Sequence, residues 1–285
     1  MEFAGREWDY TYRELFDFAD EKRIKSIADS TLKQYSTLTK KWTVELNSEW
    51  TCRAYLAIKM ILNATVQLRS LEFAKKVGLR TANPYYEYYA TLSILRAVVY
   101  TLPTQEWSEG KLIKISHSKA IEVAFDWLAK FDKTKSEALK QICWQLKAQR
   151  ELISYSAPAS GDANLGSNYN LIELLTILAE VAQFNSELLE ASVNKNADPS
   201  LFHIEDDFAH QVVTVEIDDF SFSDDEDYRR LSYIARKAPS PRNLACFMTE
   251  GQVEDFFGAW DGDDENDESF TSGSSSDWQI IFDIP

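Results

Sequence analysis

In NPYYEYYATLSILRAVVYTLP, residues 83–103, several phenols and one guanidinium are spaced so that they can meet. Tyr85, Tyr88, Tyr89, Leu92, Arg96 and Val99 recur at intervals of three and four, which places them on one face of a helix. A buried tyrosine must find a partner for its hydroxyl, and a buried arginine needs an acid or several carbonyl groups. The periodicity favours an ordered polar seam inside a core. The functional reading is a groove in which Tyr85 and Tyr89 flank a ligand and Arg96 receives its phosphate or carboxylate.

A second set closes the segment SEALKQICWQLKAQRELISYS, where Arg150 is followed by Glu151 and then Tyr155. His117 stands at a helix start, where an imidazole can bind an anion beside free backbone N–H groups, or simply cap the helix or meet a neighbour. His203 and His210 frame HIEDDFAH, a spacing that could be drawn as a metal site but that reads more simply as a solvated acidic linker. No glycine-rich phosphate loop, GxSxG elbow or HExxH motif occurs, and nine glycines leave little room for a nucleotide-cradling turn. No metal and no cofactor is expected. Basic residues in EKRIK, at Lys40 and Lys41, and in KFDKTKSEALK with Lys147 and Arg150 could form a stripe for RNA, or could be ordinary solvated faces.

The elements that must position these residues are helices. Ile58, Ile61, Leu62, Thr65, Leu68 and Leu71 recur at helical spacing between Ser48 and Gly78, so 48–77 is one long amphipathic helix. Shorter helices are expected at 12–20 and 28–42. Asn83 as N-cap and Pro84 at the first helical position start the tyrosine helix, which Pro103 ends. Ser116 caps a helix over 117–131, Ser136 starts another to about 155, and the leucine-rich run 169–192 is the cleanest amphipathic pattern in the chain. Short connections favour antiparallel neighbours.

After residue 200 the pattern changes. HQVVTVEIDDFSF alternates at period two, LACFM and DWQIIFDI are further candidate strands, and short helices are expected near 226–236 and 251–259. DGDDENDESFTSGSSS is too polar to be other than a loop or a disordered tract, near 261–276. The reading is therefore mainly α: an antiparallel helical bundle over 48–200, an N-terminal helical extension over 1–47, and a small acidic α+β C-terminal appendage over 201–285.

Charge supports that division. Residues 1–200 carry 25 acidic and 25 basic side chains, whereas residues 201–285 carry 21 and 5, which is the whole net charge of −16. With 45% hydrophobic and 13% aromatic residues in 285, the chain can fill a substantial core. No apolar run is long enough to span a membrane and the first residues lack a secretory pattern, so a cytoplasmic protein without membrane contact is expected. Cys52, Cys143 and Cys246 form no CxxC pair and read as buried thiols.

The order YYEYYATLSILRAVVY, ISHSKAI, AQRELISYS, NLIELLTILAEVAQF over residues 48–192 resembles the HEPN superfamily of small helical bundles. That resemblance implies a bundle of four or five helices, commonly a homodimer formed through the bundle, in toxin–antitoxin, phage-defence or RNA-processing settings. Many members are metal-independent ribonucleases built on an arginine, a polar residue after it and a histidine four to six residues beyond the arginine. Arg150 and Glu151 match the first two. The histidine is missing: position 155 is tyrosine, whose unperturbed pKa of about 10 suits it poorly to proton exchange near neutrality.

The expectation is thus a catalytically degenerate, HEPN-like binding protein acting on protein, nucleic acid or nucleotide. The first alternative is a ribonuclease using Arg150, Glu151 and Tyr155 with His117 supplied from elsewhere. The second is an acidic interaction protein that mimics a nucleic-acid backbone, in which Asp263, Asp264, Glu265, Asp267 and Glu268 meet a basic protein partner.

Overall fold

The computed structural model describes residues 2, 3, 5–162, 165, 169–262 and 269–285. Asp263, Asp264, Glu265, Asp267 and Glu268 lie outside the described residues. The fold is mainly α. A short antiparallel pair, β1 (Glu2–Phe3) and β2 (Arg6–Glu7), precedes α1 (Leu15–Phe18) and α2 (Glu21–Thr39). The bundle follows: α3 (Val44–Lys76), α4 (Asn83–Tyr100), α5 (His117–Leu128), α6 (Lys133–Glu151) and α7 (Leu171–Asn196). Then come α8 (Asp206–Val213), the hairpin β3 (Thr214–Ile217) and β4 (Phe220–Ser223), α9 (Asp225–Lys237), α10 (Leu244–Phe247), α11 (Glu250–Gly258) and α12 (Ser275–Trp278).

Caps decide where the helices begin, and several differ from the sequence expectation. Thr43 rather than Ser48 caps α3, accepting the N–H of Leu46, while Ser48 is buried and its hydroxyl donates to Val44 O. Asp132 rather than Ser136 caps α6; the Ser136 hydroxyl donates to Phe125 O of α5 instead. Asn83 is the first residue of α4 and not its cap. The helix expected over 12–20 is the single turn α1, and the one expected over 28–42 starts earlier, as α2, capped by Asp20. LACFM and DWQIIFDI are not strands: Asn243 accepts the N–H of Cys246 to start α10, and a Ser274–Asp277 capping box starts α12. In HQVVTVEIDDFSF only the second part pairs as strands, because α8 continues through Val213. Cys52 and Cys143 are buried as expected, whereas Cys246 is exposed on the outer side of the single turn α10.

Contacts give the helix directions. Lys75 meets Glu87, Asn63 meets Ser93 and Arg53 meets the carbonyl of Leu102, so α4 folds back antiparallel along α3, its most extensive neighbour. Ser154 meets Tyr85 while Arg150 lies over Tyr88, which sets α6 antiparallel to α4 as well. By contrast α7 runs with α4, Tyr169 reaching Glu87 at one end and Asn185 reaching Thr101 at the other. The long connection 101–116 carries the chain back along α4 before α5 begins.

From Leu174 to Leu189 α7 is buried on every side. Its polar side chains hold the flanking segments. The Glu180 carboxylate accepts the backbone N–H groups of Arg13, Glu14 and Leu15 (2.5, 3.0 and 2.7 Å), which satisfies the open start of α1. Glu187 accepts from Tyr12 Oη (2.8 Å) and Gln183 Nε2 (2.9 Å), and Gln183 also accepts from the N–H of Ala245. One apolar core runs from Trp8 through the bundle to Val212, Phe257 and Phe282.

Candidate functional site

Tyrosine, arginine and histidine residues converge where the end of α6 crosses the start of α4. Tyr88 is buried and its Oη lies 2.9 Å from His117 Nδ1, which the Ser116 cap and the returning 101–116 connection place at the first position of α5. Arg150 stands in the last turn of α6 with its guanidinium 5.2 Å from the Tyr88 ring centre and 5.9 Å from that of Tyr89. Its Nε is buried and has no hydrogen-bond partner. Tyr89 turns an edge toward His117 (6.3 Å between ring centres, interplanar angle 90°) and is 37% exposed, so its ring is open to an incoming group.

Glu151 lies 3.1 Å from Lys147 Nζ and 3.9 Å from the Arg150 guanidinium, a position suited to orienting both cations. After Glu151 the helix loosens into a π-helical turn, Leu152–Ser156, that ends at Ala157 in the left-handed region (φ 39°). This turn presents Ser154, whose hydroxyl donates to Tyr85 Oη (3.0 Å), and Tyr155, which is 80% exposed at the rim. Arg96, three turns along α4, is half-buried; one Nη reaches Ile115 O at 3.5 Å and its Nε is unpartnered.

Arg150, Glu151, Tyr155 and His117 are therefore gathered into one patch, with Tyr88 and Lys147 added to them. Tyr85, Tyr89 and Arg96 are spread along α4 instead: Tyr85 meets the π-helical turn, Tyr89 lies in the patch, and Arg96 supports the connection just ahead of His117. Tyr88 carried the correct helical spacing in the sequence, but nothing local marked it as the partner of His117, 29 residues away.

The electrostatics follow from this placement. Burial, then the positive charges of Arg96, Arg150 and Lys147, hold the His117 pKa below its usual value, so the imidazole is neutral at pH 7. Burial pushes the Tyr88 hydroxyl up to about 12 against the pull of Arg150, and it keeps its proton. The Tyr88 Oη–His117 Nδ1 hydrogen bond leaves Nε2 as the second ring nitrogen of His117. The patch then offers guanidinium and ammonium charge, one neutral imidazole and an open aromatic ring, a combination fitted to an anion joined to a flat group.

Among the described residues no group of three or more His, Cys, Asp or Glu is arranged to hold a metal ion. No helix among them is long and apolar enough to cross a membrane. No family model, curated protein or solved structure matches this chain. The likeness to HEPN bundles therefore rests on the residues themselves.

Proposed function

We propose that this is a HEPN-like, catalytically degenerate binding protein whose Arg150 patch takes the phosphate of a nucleotide unit, in RNA or free, with the base against Tyr89. The observation that carries the reading is the Arg150 guanidinium, whose Nε has no hydrogen-bond partner, set beside Lys147, His117 and a partly exposed tyrosine ring. Phosphate on a planar guanidinium and a base stacked on a phenol ring are the usual terms of single-strand recognition. Catalysis is disfavoured because RNA cleavage needs both a base and an acid. The patch has one imidazole, held neutral and bonded through Nδ1 to a poorly acidic phenol. A toxin–antitoxin or phage-defence setting is what the likeness implies.

The test is fluorescence anisotropy with a labelled single-stranded octauridylate. Saturable binding is expected. Arg150→Ala should weaken it by roughly 10–100-fold, the loss of a charge-assisted contact of about 1.5–3 kcal/mol. The oligonucleotide should remain intact throughout. Cleavage abolished by Arg150→Ala would instead establish the metal-independent ribonuclease in which Arg150, Glu151, Tyr155 and His117 act together. Neither binding nor cleavage would reject both readings.

A second reading is favoured by the hairpin. Val215 pairs with Phe222 and Ile217 with Phe220, so all four side chains share one face, and they are 43–68% exposed. No lysine or arginine occurs between residues 196 and 228, while acids bracket both strands. Val215 and Ile217 also border a cavity lined by Arg96, Lys111 and Lys114, so it is the hairpin's own acids, in line with the charge of the C-terminal region, that suit a basic protein partner. A heptapeptide alternating lysine and valine should bind, and its affinity should fall at least ~10-fold as the Debye length shrinks from about 10 to 3 Å between 0.1 and 1 M salt. Phe220→Ser with Phe222→Ser should remove the binding. A flat salt response, or binding unaffected by the double variant, would rule this reading out.

A further inference from the structure

On the side of the bundle away from α6, α3, α9 and α11 enclose a cavity of about 430 Å³, within the range of small-molecule sites. Its floor is a buried ion network. Asp227, 5% exposed, accepts from Tyr55 Oη (2.6 Å) and from Lys59, and Lys59 also lies 3.6 Å from Asp224. Opposite, Arg230 serves Glu226 (2.9 Å) and Asp255 together. Among the lining residues each of the two cations thus faces two carboxylates, an excess of two negative charges that Arg229, 3.5 Å from Glu226, partly offsets from outside the cavity.

Two further features point to an occupant. Gln252 is 7% exposed and lines the cavity, so a primary amide borders the space. Across from it, Phe256 and Trp260 form an aromatic wall, and Trp260 is 55% exposed at the mouth. Excess negative charge disfavours an anion, and the aromatic wall favours a flat apolar group.

We propose that this cavity binds a small organic ammonium ion carrying an aromatic ring. The ammonium lies against Asp224 and its neighbouring carboxylates, the ring packs along Trp260 and Phe256, and the Gln252 amide takes a hydrogen bond from or to the ligand. The site is separate from the Arg150 patch and of opposite charge, so it stands or falls independently of the function proposed there.

Isothermal titration of the full chain with tryptamine tests this, with indole-3-propionate as a probe of like shape and opposite charge. Tryptamine should bind with a dissociation constant of roughly 10–500 µM, as befits a ligand of that size. Indole-3-propionate should bind at least ~10-fold more weakly, since its carboxylate meets the excess negative charge. Two variants retain the fold. Trp260→Ala removes an exposed ring, and Asp224→Asn keeps the N-cap of α9 while removing its charge. Each should weaken tryptamine by about 5-fold or more. No saturable binding, equal binding of the two probes, or tryptamine affinity unchanged in both variants would overturn the proposal.

Discussion

Arg53→Met should destabilise the protein by about 3–5 kcal/mol, the cost of breaking a buried ion pair by removing one partner. Arg53 is 1% exposed in the first third of α3. Its guanidinium lies 4.3 Å over the Trp50 ring, 2.7 Å from Glu49 Oε1, and donates to the carbonyls of Leu102 (3.3 Å) and Gln105 (2.5 Å). Those carbonyls belong to the chain just beyond α4, so this one side chain fastens the long connection 101–116 to α3. Methionine replaces the aliphatic stem but leaves the Glu49 carboxylate, which burial already pushes up, without the charge that pulls it down. Urea unfolding should show a lower midpoint with an unchanged slope. Arg96→Met is the control: with one bond at 3.5 Å and a half-buried side chain, it should cost no more than about 1 kcal/mol. Equal losses in the two variants would show that burial and pairing of Arg53 contribute nothing special.

Stability should also fall as pH rises from 5 to 8, and Glu187→Gln should remove much of that fall. Glu187 is fully buried in α7. Burial pushes its carboxyl from the ordinary value of 4.5 up to about 8, with Glu190 adding to the rise and the bonds from Gln183 and Tyr12 opposing it. Between those values the folded protein holds a proton that the unfolded chain releases. The stabilisation from this group is therefore complete below about pH 4.5 and is lost as pH climbs toward 8. The slope is at most about 1.4 kcal/mol per pH unit, on the order of 2–3 kcal/mol between pH 5 and 7. Glu180, raised by burial in the same helix, acts with the same sign. His117 acts against it, because its depressed pKa makes the fold lose stability as pH falls below the ordinary histidine value. The difference between parent and Glu187→Gln in urea midpoints at pH 5, 6, 7 and 8 isolates the carboxyl. Parallel midpoints across that range would mean that Glu187 is ionised in the folded state.

Helix identity was largely legible, because helical period and capping act within one or two turns. Residues 169–192 read as the cleanest helix and became the central α7; Ser116 read as a cap and is one. Two helix starts lie earlier than the serines suggested. Thr43 caps α3, the Ser48 hydroxyl donating to Val44 O one turn back and to His203 O, and Asp132 caps α6, the Ser136 hydroxyl donating to Phe125 O; the carbonyls of His203 and Phe125 come near only in the packed structure. Apolar runs near the C-terminus looked like strands until Asn243 and Ser274 started helical turns there.

By itself the sequence determined the mainly helical character, the shared face of Tyr85, Tyr88, Tyr89 and Arg96, and the concentration of negative charge after residue 200, since each depends on residue type and spacing alone. Tertiary structure decided which arginine is buried. Arg53, four residues after Glu49, has the spacing of an ordinary surface ion pair, and its burial depends on carbonyls about fifty residues away. It also decided that His117 meets Tyr88 and Arg150 and that the acids of α7 hold the N-terminal segment. The physical reason is range: backbone propensity and periodicity are settled by neighbours within a turn or two, whereas burial and the pairing of charge depend on which distant segments close over a residue.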